Sequence, residues 1–322
     1  MLDVSGLTVE YDTGKNPVRA VDDVSFTVGR GEFLGIVGES GCGKSTLLFA
    51  VARLLAPPAR IAGGSVTFNG ANLVAMTDRQ LTAIRWQQLS VVMQSAMNAL
   101  NPVMSVGAQF ADALHAHGTR SRREIAARSV EVLRLVGIDP AHLESYPHQL
   151  SGGMRQRAMI AMALLFTPDL IIMDEPTSAL DVVAQRSLMT QIKELQSELG
   201  FAIIFVTHDM SLVSHFSDRL MVMYAGQVAE IGGTRQIFGD PLHPYSQGLL
   251  EAFPRIRGAK VPLKGIPGAP PDLSVIPNGC RFLPRCGKSV DACSTTAPRL
   301  VPHGGSAVRC LLYSDASTGA KK

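Results

Sequence analysis

An eight-residue motif near the start of the chain has the residue types and spacing needed to hold a phosphate group. Residues 38–45 read Gly-Glu-Ser-Gly-Cys-Gly-Lys-Ser and fit the pattern G-x-x-x-x-G-K-[ST] in full. The apolar run 33–37 before the motif predicts a strand, and residues 44–55 after it predict a helix. A chance glycine-rich turn is the alternative, but this strand–loop–helix context favours phosphate binding.

The residue types in this motif indicate how a nucleotide would be held. Glycines let successive backbone N–H groups turn toward phosphate oxygens, and the following helix adds the positive end of its dipole. We expect Lys44 to reach the β- and γ-phosphates, the Ser45 hydroxyl to ligate Mg²⁺ and Thr46 to add a phosphate contact. Cys42 occupies a variable position and carries no assigned chemistry. The predicted ATP-binding residues of the loop are Gly38, Glu39, Ser40, Gly41, Cys42, Gly43, Lys44, Ser45 and Thr46.

A second motif places two carboxylates after an apolar strand. Leu170-Ile-Ile-Met precedes Asp174 and Glu175. A carboxylate at such a strand end holds Mg²⁺ beside phosphates, and the next one can polarise an attacking water. Alone the pattern is weak, and a solvated strand end is the simpler interpretation. Together with the phosphate loop it predicts nucleotide hydrolysis, with Asp174 as a Mg²⁺ ligand and Glu175 as the general base.

Composition limits the class of protein. The chain has 322 residues, 46% of them hydrophobic and 18% charged, which is enough apolar material for a sizeable core and about two domains. The longest near-apolar stretch, 158–166, is too short to cross a bilayer. The start, Met1-Leu2-Asp3-Val4, lacks the features of a signal peptide. We therefore predict a soluble cytoplasmic protein that could still dock on a membrane protein.

Strand and helix patterns alternate along the chain. This alternation favours a mainly parallel sheet covered on both faces. Residues 77–138 look mainly helical, with capping-box starts at Thr77 and Ser121. Other predicted elements are a strand with Val4, Leu7, Val9 and Tyr11, helices over 124–136, 153–165 and 182–199, and strands over 170–173 and 202–206.

Further motifs give a family resemblance. The segment Leu150-Ser-Gly-Gly-Met-Arg-Gln156 resembles the signature sequence of ATP-binding-cassette ATPases. In the order that the family shows, Gln94 is similar to the Q-loop glutamine and Ser178-Ala-Leu-Asp181 to the D-loop. His208 resembles the switch histidine, and Tyr11 the aromatic residue that stacks on adenine. The resemblance covers residues 1 to about 240.

The resemblance implies a fold and a division of roles. It implies an α/β protein with a RecA-like P-loop core, an antiparallel β edge and an inserted helical subdomain at about 95–160. The cassette would span 1–240, and an extension with a Pro-rich linker and a four-cysteine site would span 241–322. The implied catalytic residues are Glu175, His208 and Lys44. The implied Mg²⁺ ligands are Ser45, Gln94 and Asp174, with Gln94 also contacting ATP.

In this family ATP is sandwiched between two cassettes. The signature residues would contact the γ-phosphate held by the opposite subunit, since a helix start presents N–H groups and a hydroxyl to an anion. Hydrolysis would then loosen the pair, a ligand switch at an interface. The implied residues are Ser151, Gly152, Gly153 and Gln156, with Asp181 in the D-loop.

Three other segments resemble the ATPases of oligopeptide and dipeptide importers: residues 95–102, 224–230 and 241–245. That resemblance implies a second, homologous ATPase chain, two membrane permease subunits and an extracytoplasmic solute-binding protein. The chain would lie peripherally on the cytoplasmic face of the inner membrane. The subfamily also includes nickel and sugar-linked members, so another solute or a peptide conjugate remains an alternative.

The C-terminal region differs from the rest in charge and in cysteine content. From Pro254 onward it carries eleven Lys and Arg, three Asp and no Glu, a net charge of +8, against −5 for the remainder. Residues 254–279 hold six Pro and four Gly and predict a linker or an extended wrap. Four of the five cysteines follow in the spacing Cys280-x5-Cys286-x6-Cys293-x16-Cys310.

Four thiolates can bind a [4Fe–4S] cluster or a tetrahedral Zn²⁺. The spacing fits usual zinc sites poorly, and the tail resembles the extension of dipeptide-importer ATPases, which implies a [4Fe–4S] cluster. Zinc and unligated or disulfide-bonded cysteines are the alternatives. Basic neighbours would offset a cluster's negative charge, but a solvated basic face looks the same. These neighbours are Arg281, Arg285, Lys288 and Arg309.

Two functions of a different class are alternatives to transport. A soluble cassette ATPase acting on DNA or ribosomes would need a long coiled-coil insertion or two cassettes in one chain, and neither is present. The +8 charge of the C-terminal region could favour anionic lipid headgroups or a loose nucleic-acid contact. No aromatic-rich or groove-reading motif supports the latter, so we expect no nucleic-acid partner. A regulatory iron–sulfur sensor with a vestigial ATP site is disfavoured by the intact Lys44, Asp174, Glu175 and His208.

Overall fold

The computed structural model describes residues 1–14, 16–93, 99–178, 180–252 and 265–314. The chain forms two compact units. The first unit contains Met1–Val28, Leu34–Val74 and Val206–Lys322, and the second contains Gly29–Phe33 and Ala75–Phe205.

An antiparallel sheet makes up one part of the first unit. Its strands are β1 (Leu2–Tyr11), β2 (Val18–Val28), β4 (Ala59–Phe68) and β5 (Ala71–Asn72), in the order β2-β1-β4-β5. In β1 the side chains of Leu2, Val4, Leu7 and Val9 are buried, while Asp3 and Ser5 are exposed. The two-residue period of a half-buried strand holds on each side of a register shift between Val4 and Leu7, and the predicted opening strand is confirmed. The sheet also fits the predicted antiparallel edge.

A second set of strands in the first unit contains both strand directions. Strand β3 (Phe33–Val37) pairs in parallel with β9 (Arg219–Tyr224), and β9 pairs antiparallel with β10 (Gln227–Gly233). The last two strands, β11 (Val301–His303) and β12 (Ser306–Val308), form an antiparallel pair, and β12 also pairs with β10. The predicted mainly parallel sheet is therefore a mixed sheet, because a two-residue turn after β9 and the C-terminal segment both add antiparallel strands.

The second unit combines a parallel strand pair with most of the helices. Strand β6 (Leu89–Val92) pairs in parallel with β7 (Leu170–Asp174). Every residue of β7 and of β8 (Ala202–Val206) is buried, as expected for strands covered on both faces. Strand β6 lies inside the region predicted to be mainly helical, since four residues are too few to show a period.

Helix ends follow the local chemistry of the sequence. In chain order, the α-helices of the described residues are α1 (Lys44–Val51), α2 (Asp78–Ile84), α3 (Val106–Ala116), α4 (Arg122–Leu135), α5 (Gly152–Ala163), α6 (Val182–Leu199), α7 (Met210–Phe216), α8 (Thr234–Gly239) and α9 (Pro244–Glu251). Helix α1 is shorter than predicted because Arg53 adopts a left-handed φ of 56° and the Leu54 N–H bonds to the Phe49 carbonyl, which closes the helix.

Of the two predicted capping boxes, the one at Thr77 is complete and the one at Ser121 forms only the bond made by its hydroxyl. Thr77 and Gln80 form a complete capping box at the start of α2. The Ser121 hydroxyl accepts the Glu124 N–H at 3.3 Å at the start of α4. Helices α3 to α5 occupy much of the region predicted as a helical subdomain at about 95–160.

The C-terminal segment is built into the first unit. Because β12 extends the sheet from β10, residues 306–308 share backbone hydrogen bonds with residues 230–232. Residues 265–280 contain no helix or strand, which fits the predicted extended wrap over the described part of 254–279. The proposed boundary at residue 240 stays a prediction.

Within the described ranges, no helix has both the length and the apolar character required to span a lipid bilayer.

Candidate nucleotide-binding site

Two glycines of the phosphate loop are required by their surroundings. Gly38 adopts a φ of 153°, and a Cβ atom there would lie 2.2 Å from the Met223 carbonyl oxygen. Gly43, the N-cap of α1, has a φ of 102°, and its Cβ would lie 2.2 Å from the Ala20 carbonyl oxygen. Any side chain would collide with backbone at both positions. The loop is therefore packed against neighbouring strands at each end.

Between these glycines the loop is open to solvent. Ser40 and Gly41 are exposed, whereas Cys42 is buried and burial raises the pKa of its thiol. The Cys42 carbonyl accepts the Gly226 N–H at 2.9 Å. Cys42 therefore anchors the loop through its backbone, and the expectation that it carries no chemistry of its own stays a prediction.

Lys44 is held inside the loop that precedes it. Its ammonium donates to the carbonyl oxygens of Gly38 at 2.8 Å and Glu39 at 2.9 Å. The residue is 8% exposed. A buried ammonium surrounded by backbone oxygens has its charge fixed in position, as a contact to the outer phosphates of a nucleotide requires.

The first turn of α1 carries Ser45 and Thr46, both partly buried. The Thr46 hydroxyl lies 3.2 Å from the Tyr11 hydroxyl of β1. The structure thus brings the aromatic residue expected to stack on adenine next to the end of the phosphate loop. This proximity of residues 35 positions apart supports their grouping as one site.

Glu39 is bound at three points. Its backbone N–H donates to the Tyr245 hydroxyl at 2.9 Å, its carbonyl accepts Lys44, and its carboxylate accepts the guanidinium of Arg285. Sequence reasoning placed Glu39 in the loop but did not identify Tyr245 or Arg285 as its partners.

In the second unit, Asp174 and Glu175 lie where the strand pattern predicted. Asp174 is the last residue of β7 and is 3% exposed. Glu175 follows with a φ of 45°, a left-handed conformation that is uncommon for residues other than glycine. Strained backbone of this kind persists only where the surrounding structure holds it in place. It is frequent at functional sites.

His208 follows β8 and is exposed. The next residue, Asp209, caps α7 by accepting the Ser211 N–H at 2.8 Å, and its own N–H donates to the Thr207 hydroxyl at 3.0 Å. The bond to Thr207 spans His208, and the bond from Ser211 fixes the start of the helix that follows it. The histidine is therefore presented on a rigid turn at the surface of the first unit.

The signature segment begins a helix as expected. Ser151 is the N-cap of α5, and its hydroxyl accepts the Met154 N–H at 3.3 Å. Ser151 is exposed and Gly152 and Gly153 are partly exposed. Gln156 is only 2% exposed, so its side chain is turned into the protein. Its expected contact with a nucleotide on the opposite subunit stays a prediction.

Asp181 of the D-loop is the N-cap of α6. Its carboxylate accepts the Ala184 N–H at 2.9 Å. Gln94 of the Q-loop and Ala179 of the D-loop lie outside the described residues, so the role expected of Gln94 toward ATP and Mg²⁺ stays a prediction.

Burial raises the thiol pKa of three C-terminal cysteines, Cys280, Cys286 and Cys310. Burial, above all, raises the pKa of the Cys310 thiol to about 11, and the negative charges of Cys280, Cys286 and Cys293 add to the shift. The Cys280 N–H also donates to the Cys293 carbonyl at 2.8 Å. All four are free thiols, so the disulfide alternative is absent from this structure.

The fit of these cysteines to a metal centre is incomplete. Across the part of the chain that the structure describes, no group of three or more His, Cys, Asp or Glu side chains is arranged to hold a metal ion. The predicted [4Fe–4S] cluster therefore has no preformed site among the described residues.

The arginines beside the cysteines are not a solvated basic face. Arg281, Arg285 and Arg309 are each 7% exposed. They form ion pairs with Asp22, Glu39 and Asp23, respectively. Lys288 alone of the four predicted basic neighbours is exposed, and it donates to Gln247 at 2.7 Å. The three arginines thus bind the C-terminal segment to earlier residues of the first unit.

Two family models match the chain. The model described as "ABC transporter" matches residues 21–178, and the model described as "Oligopeptide/dipeptide transporter, C-terminal region" matches residues 229–293. The first range includes the phosphate loop, the signature and the two carboxylates. The second includes the first three of the four clustered cysteines.

Similar proteins extend over nearly the whole chain. The oligopeptide transport ATP-binding protein OppD of Salmonella typhimurium is 46% identical over 92% of this chain and 89% of its own length. The oligopeptide transport ATP-binding protein AppD of Bacillus subtilis is 40% identical over 98% of this chain and 97% of its own length. The dipeptide transport ATP-binding protein DppD of Caldanaerobacter subterraneus is 41% identical over 97% of each chain.

Solved structures share the fold. The dimeric structure of MJ0796, a bacterial ABC transporter cassette, matches with a TM-score of 0.66 and 30% identity, over 73% of this chain and 99% of that one. A post-hydrolysis state of the same cassette, bound to ADP and Pi, matches equally well. The cassette CbiO1 of Clostridium perfringens matches with a TM-score of 0.65 and 27% identity, over 74% and 90%.

Proposed function

The chain belongs to the ATP-binding proteins of oligopeptide and dipeptide ABC transporters, and from this we propose that it hydrolyses ATP to power the import of di- and oligopeptides. The observation that carries the proposal is the identity of 40–46% to transport proteins named for these substrates, across almost the full length of each. The proposed activity combines ATP binding, hydrolysis and coupling to a membrane transporter.

ATP binding is assigned to the first unit. The loop N–H groups and the start of α1 supply the partial positive charges that hold phosphate oxygens. Lys44 adds a full positive charge at the outer phosphates, and Tyr11 stacks on the adenine. These assignments are supported by the fixed position of Lys44 within its loop and by the proximity of Tyr11 to Thr46.

Hydrolysis is assigned to Glu175 and His208. Glu175 accepts a proton from the attacking water, and His208 stabilises the reacting γ-phosphate. We propose that Ser45, Asp174 and Gln94 would hold Mg²⁺, which would supply positive charge to offset the charge of the phosphates. The preorganised backbone at Glu175 and around His208 supports these roles, since fixed groups need no rearrangement when charge develops.

We propose that the chain works in a pair with a second, homologous ATPase subunit. Ser151, Gly152 and Gly153 present a helix N-terminus at the surface, which suits an anion supplied from outside the chain. The dimeric cassette of similar fold supports this arrangement. Two membrane permease subunits and an extracytoplasmic binding protein complete the proposed importer, with this chain on the cytoplasmic face of the membrane.

Growth on peptides tests the proposed substrate class. An auxotrophic strain in which the gene is inactivated should fail to grow on a dipeptide or tripeptide that supplies the required amino acid, and the intact gene should restore growth. A Lys44→Ala gene should not restore it. Normal growth of the inactivated strain on peptides, combined with loss of nickel or sugar uptake, would assign the transporter to that solute.

For the C-terminal region we propose a [4Fe–4S] cluster held by Cys280, Cys286, Cys293 and Cys310. The backbone hydrogen bond from Cys280 to Cys293 supports the proposal, as does the match of this region to the peptide-transporter family. The thiols must lose their protons to bind iron as thiolates, so cluster assembly would be coupled to proton release and to local rearrangement. The cluster would stabilise a segment that is poor in apolar residues.

Metal analysis of the full-length chain distinguishes the alternatives. Anaerobic purification should give iron and sulfide near four per chain, about the content of a [4Fe–4S] cluster. A Cys293→Ser variant should lose most of this iron, while Cys42→Ser, which removes the cysteine outside the group, should retain it. Zinc alone, or no metal in protein that is otherwise active, would contradict the iron–sulfur proposal.

A further inference from the structure

One buried arginine connects the C-terminal segment to the phosphate loop. The Arg285 guanidinium donates to the two carboxylate oxygens of Glu39 at 2.7 and 2.8 Å. The side chain of Arg285 is 3% exposed and that of Glu39 is 26% exposed. A two-point pairing of this kind fixes orientation as well as distance, and a lysine cannot reproduce it.

The guanidinium is itself held in place by other groups. Its Nε donates to the Pro267 carbonyl at 2.8 Å, and one terminal nitrogen lies 3.4 Å from the Tyr224 hydroxyl. The central carbon of the guanidinium, Cζ, lies 5.7 Å from the centroid of the Tyr224 ring, within the range of a cation–π contact. Arg285 is therefore a rigid support for Glu39.

Glu39 connects Arg285 to the loop backbone and to Lys44, the groups that we expect to contact a nucleotide. Its N–H is bound to the Tyr245 hydroxyl, and its carbonyl accepts the Lys44 ammonium at 2.9 Å. Tyr245 is fully buried. The position of Glu39 thus decides both the path of the loop backbone and the place of the Lys44 charge.

We propose that Arg285 is a positioning residue for ATP, acting through Glu39 on the phosphate loop and Lys44. Loop N–H groups and Lys44 contact the phosphates before and during the reaction, so a displaced loop weakens substrate and transition state alike. Loss of such uniform binding raises KM more than it lowers kcat. This role concerns the ATPase reaction and does not depend on the transported solute or on a cluster.

Steady-state ATPase kinetics of the full-length chain, assembled with its companion subunits, test the proposal. In Arg285→Met and in Glu39→Gln we expect KM for ATP to rise about tenfold, equivalent to about 1.4 kcal/mol, with a smaller change in kcat. The KM of Arg285→Lys for ATP should lie between the values of these variants and that of the wild type. The double variant should be no worse than either single one, because both remove the same interaction.

Arg309→Met is the matched control. Arg309 is a buried arginine of the same segment and lies next to a cysteine, but its side chain bonds to Asp23, Val228 and Pro298, outside the loop. We expect it to lower the unfolding temperature without raising KM. If Arg285→Met does not fold, Arg285→Lys and Glu39→Gln provide the same test.

Three results would overturn the inference: an unchanged KM in the Arg285 and Glu39 variants, independent additive effects in the double variant, or an equal rise in KM in Arg309→Met. A wild-type assembly that hydrolyses no ATP would instead contradict the proposed function, so the two failures are distinguishable.

Discussion

The carboxylate of Glu230 accepts the backbone N–H of His243 at 2.9 Å. Its other oxygen accepts the Leu242 N–H at 3.0 Å, and Glu230 is completely buried. These bonds join the two segments, 224–230 and 241–245, that resemble peptide-importer ATPases. They also fix the start of α9, from which the Tyr245 hydroxyl reaches the Glu39 N–H. These two segments therefore support the phosphate loop.

This arrangement makes stability depend on pH through His243. Burial lowers the pKa of His243 to about 4, and a hydrogen bond to the Arg309 backbone opposes the shift. Its Nδ1 accepts the Tyr245 N–H at 2.9 Å, which requires the neutral ring. Between pH values of about 6.5 and 4 the unfolded chain binds a proton that the folded chain does not, so stability falls as pH falls.

The expected loss from His243 is at most about 1.4 kcal/mol per pH unit in that range. Chemical denaturation of the full-length chain at pH 7.5, 6 and 5 measures it. His243→Asn keeps a side-chain acceptor for the helix N-terminus but does not titrate, and its stability should vary less over the same range. An identical pH dependence in both proteins would assign the effect to other groups.

Gly38 should tolerate no side chain. In Gly38→Ala the new Cβ would lie 2.2 Å from the Met223 carbonyl oxygen, at a φ of 153°. We expect a loss of about 1–3 kcal/mol in unfolding free energy and loss of measurable ATP binding. Gly239→Ala places a Cβ where no atom lies within 4 Å and should change stability by less than about 0.5 kcal/mol. Normal ATP binding by Gly38→Ala would contradict the close packing of the loop.

Glu175→Gln should separate ATP binding from hydrolysis. The amide occupies the same space but cannot accept the proton of the attacking water, so turnover should fall by roughly 10²–10⁴-fold with the Kd for ATP nearly unchanged. Equilibrium binding and phosphate release measure the two quantities. Near-normal turnover would remove Glu175 from the role of base.

Tyr11 can be tested with two substitutions that divide its contacts. Tyr11→Phe keeps the ring and loses the contact to Thr46, whereas Tyr11→Ala loses both. Stacking on a base contributes about 1–3 kcal/mol. We therefore expect the Kd for ATP to rise roughly fivefold or more in Tyr11→Ala. It should change little in Tyr11→Phe. Equal effects of the two variants would assign the contribution to the hydroxyl rather than to stacking.

Local chemistry explains which elements could be predicted from the sequence. Helix α6 was predicted at its observed bounds because Asp181 caps its start and Gly200, with a φ of 75°, ends it. The phosphate loop and the carboxylates after β7 were predicted because their motifs are contiguous.

Long-range contacts could not be predicted in this way. Strand β12 depends on β10, more than 70 residues earlier, and nothing in the run Ser306–Val308 identifies that partner. Glu39 and Arg285 are 246 residues apart, and no periodicity links them. The arginines of the tail were therefore interpreted from their neighbours in sequence, whereas their ion pairs depend on the folded chain.

ATP-driven uptake by the reconstituted transporter is the most direct test of the proposed function. This chain, its companion ATPase, the two membrane subunits and the solute-binding protein would be assembled in vesicles with ATP on the side of the ATPases. We predict accumulation of a labelled dipeptide or oligopeptide together with ATP hydrolysis, and loss of both when this chain carries Lys44→Ala. Peptide uptake that continues unchanged with the Lys44→Ala chain, or an assembly that consumes no ATP, would contradict the proposal.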